Sequence, residues 1–416
     1  FAAFLLAGTA VFAQDNLVAK TQGGDQDSKD KFRFEVVKRL PVTSVKDQAH
    51  SSTCWAYSGL GFVEAEMLRM GKQPVDLAEM FVVYKVYQEK ARKYVRLHGN
   101  LTFAPGGEFH DVLHVIKRYG IVPQEVYSGL LPGELRNDHD EMDGLLADYM
   151  KGVVGASRLR GDWQAGFDGI LDRFLSEPPA EFTYQGKKYT PRTFADRVVG
   201  INPYDYLYFM SWKSEPYYTE AELLVPDNWA WAKCYNIPLD EMVAVVDNAL
   251  ENGYTVAWAA DVSEKGFSTK LGVAVVPEGY DSLLSYTPKA RLDSVVTLTL
   301  DGPKPEKNIT EQMRQEAFDD YSTQDDHGDA HHRVGQGPDG QEILHRQEFL
   351  GTRPGARRRN GICERGLPAL QDHLHCSQSR GWAAGTPQEI EVVRALRRHA
   401  YKQKAGCRTA PRLLLV

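Results

Sequence analysis

A glutamine and a cysteine stand six positions apart in the segment VKDQAHSSTCWAYSG, residues 45–59, directly before an apolar run. A cysteine is a useful nucleophile only as its thiolate, and the start of a helix is one place where that form is stabilised. If the loop before Cys54 turns back, the Gln48 amide and the Cys54 backbone N–H would donate together to a developing oxyanion. A single cysteine before an apolar helix is more often a small buried side chain, so this pair alone leaves both interpretations open.

A thiol nucleophile also needs a general base, and histidine suits neutral pH. His327, in TQDDHGDAHH, is one candidate, and His50, His110 and His114 are others.

A zinc site is the alternative chemistry. His110 and His114 lie four residues apart in HDVLH, the spacing of a zinc pair on one helix face, and HGDAHH adds three histidines. A zinc peptidase of this type carries a glutamate after its first histidine as general base, whereas Asp111 stands there. The aspartate in place of the glutamate argues against a zinc site and favours histidines that are simply exposed to solvent.

Helices and strands that would position these residues follow from the apolar pattern. Helical spacing runs from Cys54 to Gly71, through DLAEMFVVYKVYQEKARKYVRLHG, and through GGEFHDVLHVIKRYG, which is entered at Gly106 and Gly107 and ended by Gly120. YTVAWAADV, residues 254–262, has the content of a buried strand, VVTLTL is β-like, and TEQMRQEAFDDY returns to helix. A helix-rich first part followed by a strand-rich part predicts an α+β fold.

Composition narrows the class of protein. The 416 residues are 42% hydrophobic, enough for a full core, and the net charge of −7 argues against a nucleic-acid partner. Five cysteines are an odd number without metal-ligand spacing, so a disulfide framework is not indicated.

The amino-terminal segment predicts export. Residues 1–14, FAAFLLAGTAVFAQ, resemble a secretory signal peptide without its initiator Met and basic region, and residues 15–34 read as a linker. No other stretch has the ~18 uninterrupted apolar residues of a membrane span. A periplasmic or extracellular location is therefore expected.

The segment around Cys54 resembles the active-site segment of papain-like cysteine peptidases. PGGEFHDVLHVIKRYGIVPQEVY is similar to that family's Gly-Gly segment, whose backbone pairs with substrate, and its following helix. EPPAEFTYQGKKYTPRTF, YNIPLDEM and GYTVAWAADVSEKGF look like the aminopeptidase C and bleomycin hydrolase branch. The resemblance covers about residues 40 to 328, but the family's extra cysteine is replaced by His50 and Ser51.

The resemblance implies a fold, a function and a set of residue roles. A helical half would carry Cys54 as nucleophile and a β half would carry His327 as base, with Gln48 at the oxyanion. In the family the catalytic histidine follows a short polar run and precedes a glycine, as His327 does, so His50, His110 and His114 are the weaker candidates. Gly106, Gly107 and Asp326 would bind substrate. Residues 35–328 would form the peptidase domain, with a large helical insertion at about 135–250. Peptides would be the substrates, without metal or organic cofactor. Aminopeptidase action and hexamer formation are implied by the branch, and endopeptidase action stays open.

Residues 329–416 depart from the family. Arginine outnumbers lysine only here, and the expected Asn-Ser-Trp-Gly element, whose asparagine orients the histidine, is missing. Reading codons compatible with DAHHRVGQGPDGQEILHRQEFLG one base later permits MHIIGLAKDQTGKKFYIVKNSWG, with the asparagine in the slot of Glu348 and the tryptophan in that of Leu350. A frame shift near residue 329 is the preferred interpretation, and a divergent or disordered tail is the alternative.

As written, the chain is expected to be poorly ordered after about residue 328 and weakly active. A non-catalytic binding protein on a peptidase-like fold is the remaining alternative.

Overall fold

The computed structural model describes residues 35–159, 161–262, 267–268, 273–276, 278, 305–325, 327–336, 342–347, 362–364 and 412–415. The helices are α1 Cys54–Arg69, α2 Glu79–Arg96, α3 Phe109–Tyr119, α4 Asp140–Gly155, α5 Trp163–Leu175, α6 Pro191–Phe194, α7 Leu239–Glu251 and α8 Glu311–Asp319. The strands are β1 Glu35–Arg39, β2 Phe182–Tyr184, β3 Lys187–Tyr189, β4 Tyr206–Met210, β5 Thr219–Glu222, β6 Lys233–Asn236, β7 Val256–Ala260, β8 Phe267–Ser268, β9 Val273–Ala274, β10 His327–Gln336, β11 Glu342–Gln347, β12 Ile362–Glu364 and β13 Arg412–Leu415.

The helical half is built around α1, which is buried over most of its length against α2 and α3. Most of its residues are apolar or small, as expected of a central helix, and its two buried glutamates, Glu64 and Glu66, are paired with Lys46 and Arg69. The predicted helix ends are confirmed: α1 ends at Arg69, two residues before Gly71, and α3 ends at Tyr119, directly before Gly120. The helix α3 begins at Phe109, after the two glycines that were predicted to enter it. Gly71 and Gly120 have positive φ, 72° and 86°, which residues with a Cβ rarely adopt.

The second half is an antiparallel sheet whose central strand is β10. One edge of β10 pairs with β7, from His327 opposite Ala260 to His331 opposite Val256, and then with β1. The other edge pairs with β11. The strand predicted within residues 254–262 is confirmed as β7. It pairs with the beginning of β10, where His327 lies, and both strands contact α1.

The insertion at about residues 135–250 was predicted to be helical, but it contains strands as well as helices. It contains α4, α5, α6 and α7, but also the β2–β3 hairpin and a sheet in which β6 lies between β4 and β5. The continuous apolar run of β4, YLYFM, shows no alternation because both of its faces are largely buried.

The strand β10 crosses the boundary predicted at residue 328, and β11, β12 and β13 lie within the predicted aberrant tail. The strand VVTLTL, the predicted signal peptide and the predicted linker lie outside the described residues, as do Glu348 and Leu350. The division of the chain into these regions stays a prediction.

Candidate active site

Cys54 is the first residue of α1 and is partly exposed, whereas most of the helix behind it is buried. The side chain of Thr53 does not cap this helix, because its hydroxyl bonds that of Ser51 at 2.7 Å. The first N–H groups of a helix and their positive dipole favour an anion placed there. The thiolate of Cys54 and an oxyanion formed beside it are both such anions.

The loop before Cys54 turns back as the sequence predicts. The Ser51 N–H donates to the Gln48 carbonyl at 3.1 Å, and the Ala49 N–H donates to Asp47 Oδ1 at 2.8 Å. Ala49 and Ser52 have φ of 49° and 54°, in the left-handed region that non-glycine residues seldom adopt. Such strain is retained where a loop must present particular groups. Here it brings Gln48 beside Cys54, and its Oε1 has no hydrogen-bond partner among the described residues.

His327 begins β10 and is only 5% exposed. The backbone N–H of the next residue, Gly328, donates to Cys54 Sγ at 3.4 Å. A Cβ on Gly328 would lie 3.0 Å from Ser58 Oγ and from the Phe109 ring. The glycine therefore lets the strand approach α1 closely enough for the two halves to meet at the thiol.

The Gly106–Gly107 segment is fixed by α1 and α2. Trp55 Nε1 donates to the Pro105 carbonyl at 3.1 Å, and Lys90 Nζ donates to the Gly106 carbonyl at 2.5 Å. A Cβ on Gly107 would lie 2.8 Å from Trp55 Cε2. Trp55, which follows Cys54, thus holds a backbone segment against the cleft.

These residues share one cavity of about 410 Å³. Of the predicted site residues, it is lined by Gln48, Cys54, Gly106, Gly107 and His327. Asp326, the sixth, lies outside the described residues.

Four charged residues of this region were not predicted. Glu108, Asp227 and Asp325 line the same cavity, and Lys90 lies beneath Gly106. Glu108 directly follows the predicted Gly-Gly segment, so its position was a usable signal. Lys90 stands among the apolar positions of α2, and this position indicates a buried cation. Asp227 comes from a distant segment, and no local pattern predicts its presence at the cavity.

Burial perturbs the ionisation of this charged group. It lowers the pKa of Lys90 to about 8, although the charges of Asp111 and Asp227 oppose the change. It holds the pKa of Glu108 well above its usual range, and the neighbouring charge of Asp325 acts in the same direction. Perturbed groups of this kind gather at functional sites.

The zinc alternative receives no support from the described residues. His110 and His114 line a second cavity, of about 430 Å³, outside the Cys54 cleft. His114 Nε2 lies 2.9 Å from Glu89 Oε2, and burial lowers the pKa of His110. Within the described part of the chain, no three His, Cys, Asp or Glu side chains are grouped to hold a metal ion. His50 is exposed, and its backbone joins residues 137–139 instead.

Helix lengths bear on the membrane prediction. Over the described ranges, every helix is too short or too polar to cross a bilayer.

Known proteins resemble this chain in sequence and in fold. No model of a protein family matches it. "Cysteine proteinase 1, mitochondrial" from Saccharomyces cerevisiae strains YJM789 and S288c is 22% identical over 234 residues, which are 46% of this chain and 48% of the yeast proteins. The match therefore spans about half the length of these curated relatives.

The crystal structure of PepW from Lactobacillus rhamnosis HN001 matches with a TM-score of 0.62 at 16% identity, over 91% of this chain and 86% of PepW. The predicted α+β, papain-like fold is confirmed.

Proposed function

We propose that the chain is a papain-type cysteine peptidase that hydrolyses peptide bonds through a thioester. One observation carries the proposal: Cys54, at the start of a buried helix, shares a cleft with His327 and accepts a hydrogen bond from the adjacent Gly328 N–H at 3.4 Å. The similarity to yeast cysteine proteinase 1 supports it.

The chemistry follows from these positions. Cys54 Sγ attacks the scissile carbonyl carbon as His327 takes the thiol proton, and the oxyanion accepts from the Gln48 amide and the Cys54 N–H. His327 then gives that proton to the leaving amine. Water attacks the resulting thioester with His327 as base, which releases the acid product and restores the thiol. Gly106 and Gly107 leave a bare backbone edge beside the thiol for the substrate backbone.

Replacement of the two described free thiols tests the function. Cys54→Ser is expected to abolish peptide hydrolysis and labelling by a peptidyl epoxide, because an unactivated hydroxyl replaces the thiolate. Cys234→Ser is the matched control, since Cys234 is buried, does not line the cleft, and has its pKa raised by burial. Gln48→Ala should lower kcat roughly 10²- to 10³-fold with little change in KM.

Hydrolysis that persists in Cys54→Ser, or that is lost to EDTA and not to an alkylating agent, would contradict the assignment. A labelled thiol without any peptide hydrolysis would instead favour a non-catalytic peptide-binding role.

The proposal extends to the biological setting. The branch resemblance favours aminopeptidase action, and the apolar amino-terminal segment favours export. Comparison of free and acetylated peptides, fractionation of cells and size-exclusion chromatography test the cleavage mode, the location and the expected homo-oligomer.

A further inference from the structure

The loop before Cys54 is strained, and a distant segment of the chain contacts it. Ala49 and Ser52 have φ of 49° and 54°, and Gln48 lies directly before Ala49. Backbone in this region keeps its conformation only where the surrounding structure determines it. The oxyanion site proposed above needs Gln48 beside Cys54, so the contacts that fix this loop also maintain the site.

Residues 137–139 fix the middle of the loop. The His50 N–H donates to the Asn137 carbonyl at 3.1 Å, and the His139 N–H donates to the His50 carbonyl at 3.1 Å. The two bonds form a short parallel bridge between His50 and Asp138. Both main-chain polar groups of His50 are therefore paired with this segment, at a position between the two strained residues.

The side chain of Asn137 contacts the helix that carries the thiol. Its Nδ2 donates to the Tyr57 hydroxyl at 2.8 Å, and the two residues are only 8% and 4% exposed. Tyr57 lies three residues after Cys54, almost one turn along α1. Asn137 thus bonds both sides of the oxyanion site: its carbonyl bonds the loop that carries Gln48, and its amide bonds the helix that begins at Cys54.

The segment 137–139 is itself fixed because it leads into a packed helix. The Asp143 N–H donates to the His139 carbonyl at 2.8 Å as α4 begins, and the Tyr87 hydroxyl on α2 donates to Asp143 Oδ1 at 2.5 Å. Three side chains of α4 are completely buried: Met142, Leu146 and Met150. The contact between Asn137 and Tyr57 is also buried, so water does not readily replace it when one partner is removed.

We propose that Asn137 is a positioning residue, which keeps Gln48 beside Cys54 by joining the strained loop to α1. The inference rests on the proposed peptidase function and adds a residue to its machinery. Asn137 does not line the cleft, so it acts through the loop. Without the Asn137 amide, the loop relaxes and the Gln48 amide moves away from the oxyanion. Because the oxyanion forms only during the reaction, this movement lowers kcat and leaves KM almost unchanged.

Removal of either buried partner tests the role. Asn137→Leu replaces the amide by an apolar group of similar size, and Tyr57→Phe removes the hydroxyl. Each should lower kcat about 10-fold or more while KM stays within about threefold. Asn100→Leu is the matched control, because Asn100 is exposed and its Nδ2 donates to the nearby Leu97 carbonyl at 2.9 Å. This control should leave both constants within about twofold of wild type.

A double-mutant cycle separates positioning from a general loss of structure. In a chain that already carries Gln48→Ala, Asn137→Leu should lower kcat by less than about twofold, because the group that it positions is gone. Losses that multiply would show that Asn137 acts independently of Gln48, and would overturn the proposal.

Hydrogen exchange measured by mass spectrometry tests the contact in the full chain without turnover. The His50 and Ser51 N–H groups are both bonded in the loop. Peptides that cover residues 46–53 should exchange about 10-fold faster or more in Asn137→Leu and Tyr57→Phe, and at the wild-type rate in Asn100→Leu. Peptides from α7 are the internal reference for the folded state.

The outcomes distinguish this proposal from the peptidase assignment. Faster exchange confined to the loop supports the positioning role, even in a chain that hydrolyses no peptide and so fails as a peptidase. Unchanged exchange in the loop, or an equal rise in the loop and in α7, overturns the proposal, even when the wild-type chain is an active peptidase. Faster loop exchange with an unchanged kcat in an active chain also overturns it.

Discussion

The proposed catalytic side chains are placed by features of the backbone around them. A strained loop returns Gln48 to the thiol, and Gly328 lets the strand that carries His327 approach Ser58 and Phe109. Positions without a Cβ are as necessary to this site as the reactive groups. The same reasoning applies to the glycines that face the substrate.

Gly107→Ala is expected to lower the free energy of unfolding by about 1–3 kcal/mol and to raise KM. The new Cβ would lie 2.8 Å from Trp55 Cε2 and 2.9 Å from Asp111 Oδ2, so the ring or the substrate-binding segment must move. Urea unfolding and peptide kinetics measure the two effects.

Gly144→Ala is the matched control. Gly144 lies inside α4, and a Cβ at this position would have no heavy atom within 4 Å, so alanine should stabilise the chain by about 0.5–1 kcal/mol. Equal effects of the two substitutions would show that Gly107 has no steric role.

At the level of single residues, local pattern predicts the reactive groups better than the charged residues around them. Gln48 and Cys54 are recognisable because they lie six positions apart, whereas Gly106 and Gly107 needed a family resemblance. His327 needed it too, since it lies 273 positions after Cys54. Asp227 was missed because its position beside Gly106 depends on a tertiary contact that no spacing encodes.

Between the elements, a buried ion network connects the loop before the nucleophile to α1 and α2. Lys46 Nζ lies 2.7 Å from Glu64 Oε1 and 2.7 Å from Glu79 Oε1, and both carboxylates are almost completely buried. Glu64 Oε1 also accepts from the Leu77 N–H at 2.8 Å. Because Lys46 is two residues from Gln48, this network holds the strained loop in place.

Lys46→Met should lower the free energy of unfolding by about 3–5 kcal/mol, because it leaves two buried carboxylates without their cation. Denaturant unfolding gives the value. Lys151→Met is the control: its partner Asp148 is exposed, and loss of such a pair should cost at most about 1 kcal/mol. A small and equal effect of both substitutions would contradict the role assigned to the network.

The same network sets a pH dependence with a defined sign. Burial raises the pKa of Glu79 from 4.5 to about 7, so the folded chain binds this proton more tightly than the unfolded chain. The contribution of Glu79 to stability therefore falls as pH rises from about 4.5 to about 7. Glu79→Gln should remove this part of the slope, and an unchanged slope would assign it to other groups.

Helices were predicted more completely than strands. The helices α1, α2, α3 and α8 follow from apolar periodicity closed by glycine or polar residues. The strands β4, β5 and β6 were missed because they are short, and β4 lacks the alternation that marks a half-exposed strand. A helix carries its own hydrogen bonds, whereas a strand depends on partners that are distant in the sequence.

At the scale of the whole molecule, β10 joins the two halves. It pairs along its length with β7 and β1 on one edge and with β11 on the other, and its first residue is His327. Central strands favour β-branched and aromatic residues. The sequence of β10, HGDAHHRVGQ, instead carries an aspartate, an arginine and three histidines. This is a physical reason, independent of any resemblance, to expect a change of reading frame just after Gly328.

Sequencing of the coding DNA should therefore reveal an altered frame near residue 329. In the corrected frame, residues 329–336 would read MHIIGLAK, while His327 and Gly328 would be unchanged. Each apolar side chain that becomes buried adds about 1.5–3 kcal/mol, so the corrected chain should unfold at a clearly higher denaturant concentration. It should also label faster at Cys54, because the slot of Glu348 would then hold an asparagine, the residue that orients the histidine in the family the sequence resembles. The control is the corrected chain with Cys54→Ser, which should share the stability and lose the labelling. An uninterrupted frame in the DNA, together with equal unfolding midpoints for the two chains, would show that β10 is native as written.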